Sequence, residues 1–269
     1  MDRFPQRIVC LTEETTETLY LLGEQDRIVG ISGFTVRPPE ARKEKPKVSA
    51  FTSAKVGKII ELKPDLVLGF SDLQADIAAE LIRAGIEVHV FNHRSVEEIL
   101  NMMVQLGALV GAGQKALDWV VAWERRREQL LASLPAEDQR PRVYFEEWDE
   151  PIITGIRWVS ELIGLAGGIE VFPEHAAESL GKNRILADSD EVIRRAPDII
   201  MGSWCGKKFR PEKVAARPGW NAIPAVRDGQ LFEVKSSVIL QPGPAALTDG
   251  LKVLVRIIKN WHELKGVTG

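Results

Sequence analysis

A chain of 269 residues has room for one large domain or two of ordinary size, and either buries enough apolar surface to fold unaided. With 45% hydrophobic and 27% charged residues and ordinary Gly and Pro, it is not a disordered, collagenous or disulfide-scaffold protein. Its 35 basic and 38 acidic residues are mixed along the chain, and the net charge of -3 provides no electrostatic footprint for nucleic acid or an anionic membrane.

The segment Met1–Arg7 has no apolar stretch and no small-residue cleavage site, so no signal peptide is expected in it. No run approaches the ~18 apolar residues of a membrane span. Arg7-Ile8-Val9-Cys10-Leu11 reads as a strand, followed by a helix that stops at Gly23. Ile28 to Ile31 is a second strand. Ile59 to Leu62 ends an amphipathic helix that Pro64-Asp65 breaks, and Leu66-Val67-Leu68-Gly69 then has the apolar character of a strand buried in a parallel sheet. Glu87 to Phe91 is another apolar run. Over Gln114–Leu134, Leu117, Val120, Val121, Leu130, Leu131 and Leu134 fall near a 3.6 period, which predicts one helix of about 20 residues, roughly 30 Å long. Pro135 to Pro141 is polar and proline-bounded, so a second lobe begins near Arg140. Arg142 to Glu146 reads as a strand that leads into a helix ending at Gly167-Gly168, Leu231 to Val234 as a further strand, and Ala245–Trp261 as the closing helix.

The chain also repeats itself. The segment Ile59 to Gly69 returns 133 residues later, from Pro64 to Pro197, as Val192 to Gly202 with its own Pro197-Asp198 and β-branched run. Strands alternating with helices in each half predict an α/β protein of two Rossmann-like lobes with mostly parallel sheets, joined by a single long backbone helix. The expected bounds are 1–112, 113–136 for the connector, and 137–269. A helical connector predicts little closure on binding.

Ligands of parallel sheets bind beyond the carboxyl ends of the strands. The loops there offer Glu13 and Glu14, Phe34, Phe51, Phe70-Ser71-Asp72 and His93 in the first half. In the second they offer Glu146, Glu147, Trp148 and Asp149, then Trp158, Trp204 and Lys207 to Phe209. Aromatic faces suit a large apolar ring system with polar edges, the alternative for strand-end Phe51 and Phe70 being that they fill the lobe core. The acidic clusters are either ligand contacts or solvated loop faces. Lys207, Lys208 and Arg210 suit an anionic ligand or a solvated loop. His93 can offer an imidazole to a ligand's metal or be a polar loop residue. The remaining histidines, His89, His175 and His262, are dispersed, so no metal site is expected. Cys10 and Cys205 form either one disulfide or two buried thiols, the latter being expected from their apolar surroundings. No Gly-x-Ser-x-Gly elbow or phosphate loop is present, and Thr12-Glu13-Glu14-Thr15 stands where a dinucleotide fingerprint would need glycines, so no catalytic residue is assigned and no enzyme expected.

Taken in order, Arg7-Ile8-Val9, Thr15-Thr16-Glu17-Thr18-Leu19, Val29-Gly30-Ile31-Ser32, Pro38-Pro39-Glu40-Ala41, Leu62 to Val67, Gly85 to Val88, Ala166-Gly167-Gly168 and Ala196-Pro197-Asp198 resemble the helical-backbone class of ABC-importer substrate-binding proteins. The resemblance is greatest to the cobalamin-binding group. It implies a monomer that holds a corrinoid, cobalamin as ligand and no resident cofactor, in the cleft between the lobes outside the cytoplasm. It also implies an ABC permease as partner, and it carries Phe34, Phe51 and Phe70 over as contacts to the corrin ring. Trp158 and Trp204 are added from loop position alone. Siderophore or haem binding is the alternative cargo, though only Tyr20 and Tyr144 are available as tyrosines. The chain departs from the pattern in one respect. Asp76 matches the first of the two carboxylates that dock on a permease, but Ser236 to Pro244 contains no second one, which leaves a cytoplasmic corrinoid-handling role as a further alternative.

Overall fold

The computed structural model describes residues 3–266. Met1 and Asp2 of the segment read for a leader, and Val267, Thr268 and Gly269 at the end of the second expected lobe, lie outside the described residues. The chain forms two compact units. The first takes in the residues up to His93, Glu97–Glu124 and Gln241–Ala245; the second takes in Arg94–Val96, Arg125–Leu240 and the residues from Ala246 onward.

In the first unit β1 (Ile8–Cys10), β2 (Ile28–Ser32), β3 (Lys47–Ser49), β4 (Leu66–Phe70) and β5 (Val88–Phe91) form one parallel sheet in the order β3-β2-β1-β4-β5. Every residue of β1 and β4 is buried, because helices cover both faces of a parallel sheet and its central strands contact no water. Val9, Leu11, Val67, Ile59 and Leu81 form the core on one side. In the second unit β6 (Arg142–Asp149) pairs in parallel with β9 (Ile199–Gly202), which pairs with β10 (Leu231–Glu233). The other edge of β6 holds β7 (Ile152–Thr154), antiparallel, and β8 (Ile169–Glu170), parallel.

The repeat seen in the sequence is a repeat of atomic detail. Asp65 accepts hydrogen bonds from the backbone N–H groups of Gln6 and Arg7, and the Arg7 guanidinium donates to the carbonyl oxygens of Leu62 and Lys63. One repeat later Asp198 accepts from the Arg142 N–H, and Arg142 donates to the Arg195 carbonyl. Lys63 and Ala196, at equivalent positions, both have positive φ, 47° and 42°, which turns the chain from helix to strand without a glycine. The Pro-Asp step therefore bonds the start of each lobe's first strand to the turn that feeds its neighbour.

The connector is the helix Gly113–Ala132, which passes from the first unit to the second between Glu124 and Arg125. Ala116, Val120 and Trp123 are its buried positions, whereas Leu117, Val121 and Leu131 of the predicted stripe are exposed. Short strands β3, β7 and β8 escape the sequence pattern. The closing helix is Leu251–Lys265, preceded by a π-helical turn at Ala246–Gly250. Cys10 and Cys205 do not form a disulfide, and Cys205 is exposed, contrary to the expectation of two buried thiols, because the loop after β9 turns it outward. Burial raises the Cys10 thiol to about 12, which makes it inert.

Candidate functional site

In the first sheet the strand order reverses between β1 and β4, so the loops that follow these two strands border the crevice where open α/β sheets bind ligands. After β1 come Glu13 and Glu14 in the first turn of the helix Glu13–Leu22. Glu14 is buried and its Oε1 accepts from the Thr12 hydroxyl at 2.5 Å. Glu13 is nearly as buried, and that burial holds its carboxyl above the usual carboxylate range, only partly offset by its own backbone N–H.

Phe34, two residues past β2, is 56% exposed. Phe51, two residues past β3, is half-buried and its ring centroid lies 6.4 Å from that of Phe70 at the end of β4. Phe70 itself is buried and edge-on to His93 at 4.9 Å, so it supports the surface from beneath. Ser71 is buried with φ 64°, and its hydroxyl accepts from the Leu73 N–H, which leaves Asp72 and Leu73 exposed. His93 is buried and its Nε2 lies 2.7 Å from the Pro242 carbonyl oxygen, packed against Phe70 and Phe91. The imidazole is thus anchored inside the first unit.

Sequence reasoning missed Gln74, the residue that arranges this surface. Its Oε1 accepts from the Phe70 N–H at 2.9 Å and its Nε2 donates to the Phe51 carbonyl at 2.8 Å, so one buried amide links two strand ends. The spacing Ser71-x-x-Gln74 is that of a capping box and was the available signal.

In the second unit the equivalent reversal lies between β6 and β9, but most of the candidates there belong to the core. Glu146 is fully buried and accepts from four donor atoms: the Tyr144 hydroxyl at 3.0 Å, the Trp204 indole at 3.0 Å, and two Arg217 nitrogens at 2.6 and 2.9 Å. Its lone pairs are occupied within the unit, where the sequence offered it as either a ligand contact or a solvated loop face. Trp204, named from loop position, packs edge-on to Phe209 at 5.0 Å within the apolar cluster of the unit. Trp158 is buried as well and donates to the Ile239 carbonyl at 2.8 Å. Glu147 is held by two nitrogens of the buried Arg184. What remains presented is Trp148, half-buried, with the Lys207 ammonium 4.2 Å above its ring and ion-paired to Asp149. Among the described residues no group of three or more His, Cys, Asp or Glu side chains could hold a metal ion.

A profile of the periplasmic binding protein family matches residues 8–238, which takes in both sheets and the connector. The chain belongs to this family. A vitamin B12-binding protein of Vibrio parahaemolyticus is 27% identical over 270 aligned positions, covering 97% of this chain and 90% of that protein. Two solved structures share the fold: the periplasmic vitamin B12 binding protein of Vibrio cholerae, at TM-score 0.74 and 22% identity over 96% of this chain and 98% of that one, and the periplasmic heme binding protein of the same organism, at 0.78 and 19% over 94% and 98%. As a periplasmic binding protein the chain is a substrate carrier and not an enzyme, and its partners are a small-molecule ligand and a permease.

Proposed function

We propose that this periplasmic binding protein carries cobalamin or a related corrinoid on its strand-end loops and works outside the cytoplasm with an ABC-type permease. The observation that carries the reading is the apolar surface at the carboxyl ends of the first sheet. Phe34 and Leu73 are exposed and Phe51 is half-exposed over a support of Phe70 and Gln74. An exposed phenylalanine on a rigid strand end contributes nothing to the core, and it suits a broad macrocycle face covered at small entropy cost. Glu13, held toward its protonated form, supplies a polar partner for the amides at the corrin edge. The sequence likeness to vitamin B12-binding relatives supports the same cargo.

A haem carrier would need an imidazole or phenolate directed at the iron. Tyr144 is buried and bonded to Glu146, Tyr20 donates to Glu44, and His93 is engaged by Pro242. Asp76 is exposed in the first turn of its helix and is proposed as a permease contact.

Calorimetric titration with cobalamin, with haem and a ferric siderophore as controls, tests the reading. One-to-one cobalamin binding is expected, weakened about tenfold by Phe34→Ala, with melting unchanged because Phe34 is exposed. The visible spectrum of bound cobalamin is expected to be the same in His93→Ala as in the unaltered chain. Binding of a control but not of cobalamin would refute the cargo.

A further inference from the structure

At the opposite, amino ends of its strands the second unit holds a cavity of about 780 Å³. Gln139 and Gly167 border it just ahead of β6 and β8, so it shares nothing with the strand-end loops. Its floor is aliphatic: Leu130 and Leu134 from the end of the connector, Leu165, and Val255 and Ile258 from the closing helix. A continuation of about 260 Å³ shares Leu130, Val255 and Lys259 and is rimmed by Arg126, Lys252 and Arg256.

Two features distinguish this cavity from a packing gap. Lys252 is paired with Asp249, but Arg126 and Arg256 have no ion-pair or hydrogen-bond partner among the described residues. The imidazole of His262 lines the main cavity, and both its ring nitrogens are buried without a hydrogen-bond partner among the described residues. Burial lowers its pKa and so favours the neutral ring, which can donate one hydrogen bond and accept another. The volume is that of a small-molecule site. An apolar floor with unpaired guanidinium groups gathered at one end calls for an occupant of the same polarity, apolar along its length and anionic at one tip.

We propose that this cavity binds a single-chain anionic amphiphile, with the alkyl chain along the floor from Leu130 to Ile258 and the carboxylate or phosphate head between Arg126 and Arg256. A site of this kind lets the carrier respond to a free acyl anion while its strand-end loops remain available to their own ligand.

The test is calorimetry of the full chain with monomeric decanoate and decyl phosphate. Neutral decyl maltoside, inorganic phosphate and vesicles with or without phosphatidylglycerol complete the set. Saturable one-to-one binding of both decyl anions is expected. It should weaken about tenfold or more when Arg126→Gln and Arg256→Gln are combined, two exposed changes that leave the fold intact, and vanish in Val255→Trp, which fills the trench. Cobalamin titration of the same variants should be unchanged, so failure here and failure of the corrinoid reading are separate results. The proposal is overturned if decyl maltoside binds as tightly as decanoate, if inorganic phosphate alone binds, if vesicles bind while monomers do not, or if none of them binds.

Discussion

The carboxylate of Glu146 is the place where the second unit is most open to a single change. Glu146→Gln keeps the shape of the side chain and removes its charge, and the new amide NH₂ faces donors in place of an acceptor. The two Arg217 bonds of 2.6 and 2.9 Å are charge-assisted, and the Arg217 side chain is only 17% exposed, so its guanidinium is left largely without water or counter-charge. Breaking one side of a buried pair costs about 3–5 kcal/mol. The Trp204 indole and Tyr144 hydroxyl lose part of their acceptor as well. For a protein of this size that is a fall of roughly 10 °C in melting temperature. Urea unfolding followed by tryptophan fluorescence and by circular dichroism measures it, and a double-mutant cycle isolates the pair. Removing both charges with Glu146→Met and Arg217→Met should recover the cost of the unpaired guanidinium, since a buried ion pair and an apolar filling are often equivalent, and leave about 1–3 kcal/mol for each of the two donors, the Trp204 indole and the Tyr144 hydroxyl, that lose their acceptor. A loss under about 1 kcal/mol in Glu146→Gln, or single effects that simply add in the double variant, would refute the account of this network.

Burial raises Glu170 from 4.5 to about 8, with nearby Glu174 adding to it and Arg195 and two backbone N–H groups opposing. A carboxyl whose folded pKa is raised contributes stability below about pH 4.5 that is lost as the pH rises through about 8. Glu170→Gln should therefore be the more stable protein at pH 9, by about 2–4 kcal/mol, with the gap closing toward pH 5 in a series of melts. At Gly202 a Cβ would meet the Phe209 ring at 1.9 and 2.0 Å, so Gly202→Ala should cost about 3 kcal/mol and loosen the loop that carries Lys207, read as a lowered urea midpoint. Lys63→Gly and Ala196→Gly, which remove side chains from left-handed turns, should each raise the urea midpoint by an equivalent of about 0.5–1 kcal/mol.

The architecture was legible where its cause is local. The repeated Pro-Asp step, the glycine that ends the helix at Leu22 and the apolar runs of β1, β4 and β9 all act through the residues beside them. Strands β3, β7 and β8 are two or three residues long, and their pairing is imposed by the neighbour rather than by any period of their own. The same limit governs the candidate site. Phe34 and Phe51 lie where strand-end position places them, but β6 runs on to Asp149, so Tyr144, Glu146 and Trp148 share one face of a strand and only the last of them reaches the rim. Trp158 and Trp204 look like loop aromatics in sequence, and the carbonyl and carboxylate that claim their indoles come from 81 and 58 residues away. Distant partners of that kind leave no mark within a sequence window.

The first unit includes Gln241–Ala245, although all of its other residues precede Arg125. Glu17 accepts from the Ala245 N–H, His93 is tied to the Pro242 carbonyl, and Gly243 is so close to Glu14 that a Cβ there would lie 2.6 Å from the Glu14 Cβ. During synthesis the first unit therefore cannot complete these contacts until the chain has grown past Ala245. A fragment ending at the connector would lack that clasp, and a nick or stop codon near residue 240 would harm the first unit as surely as the second.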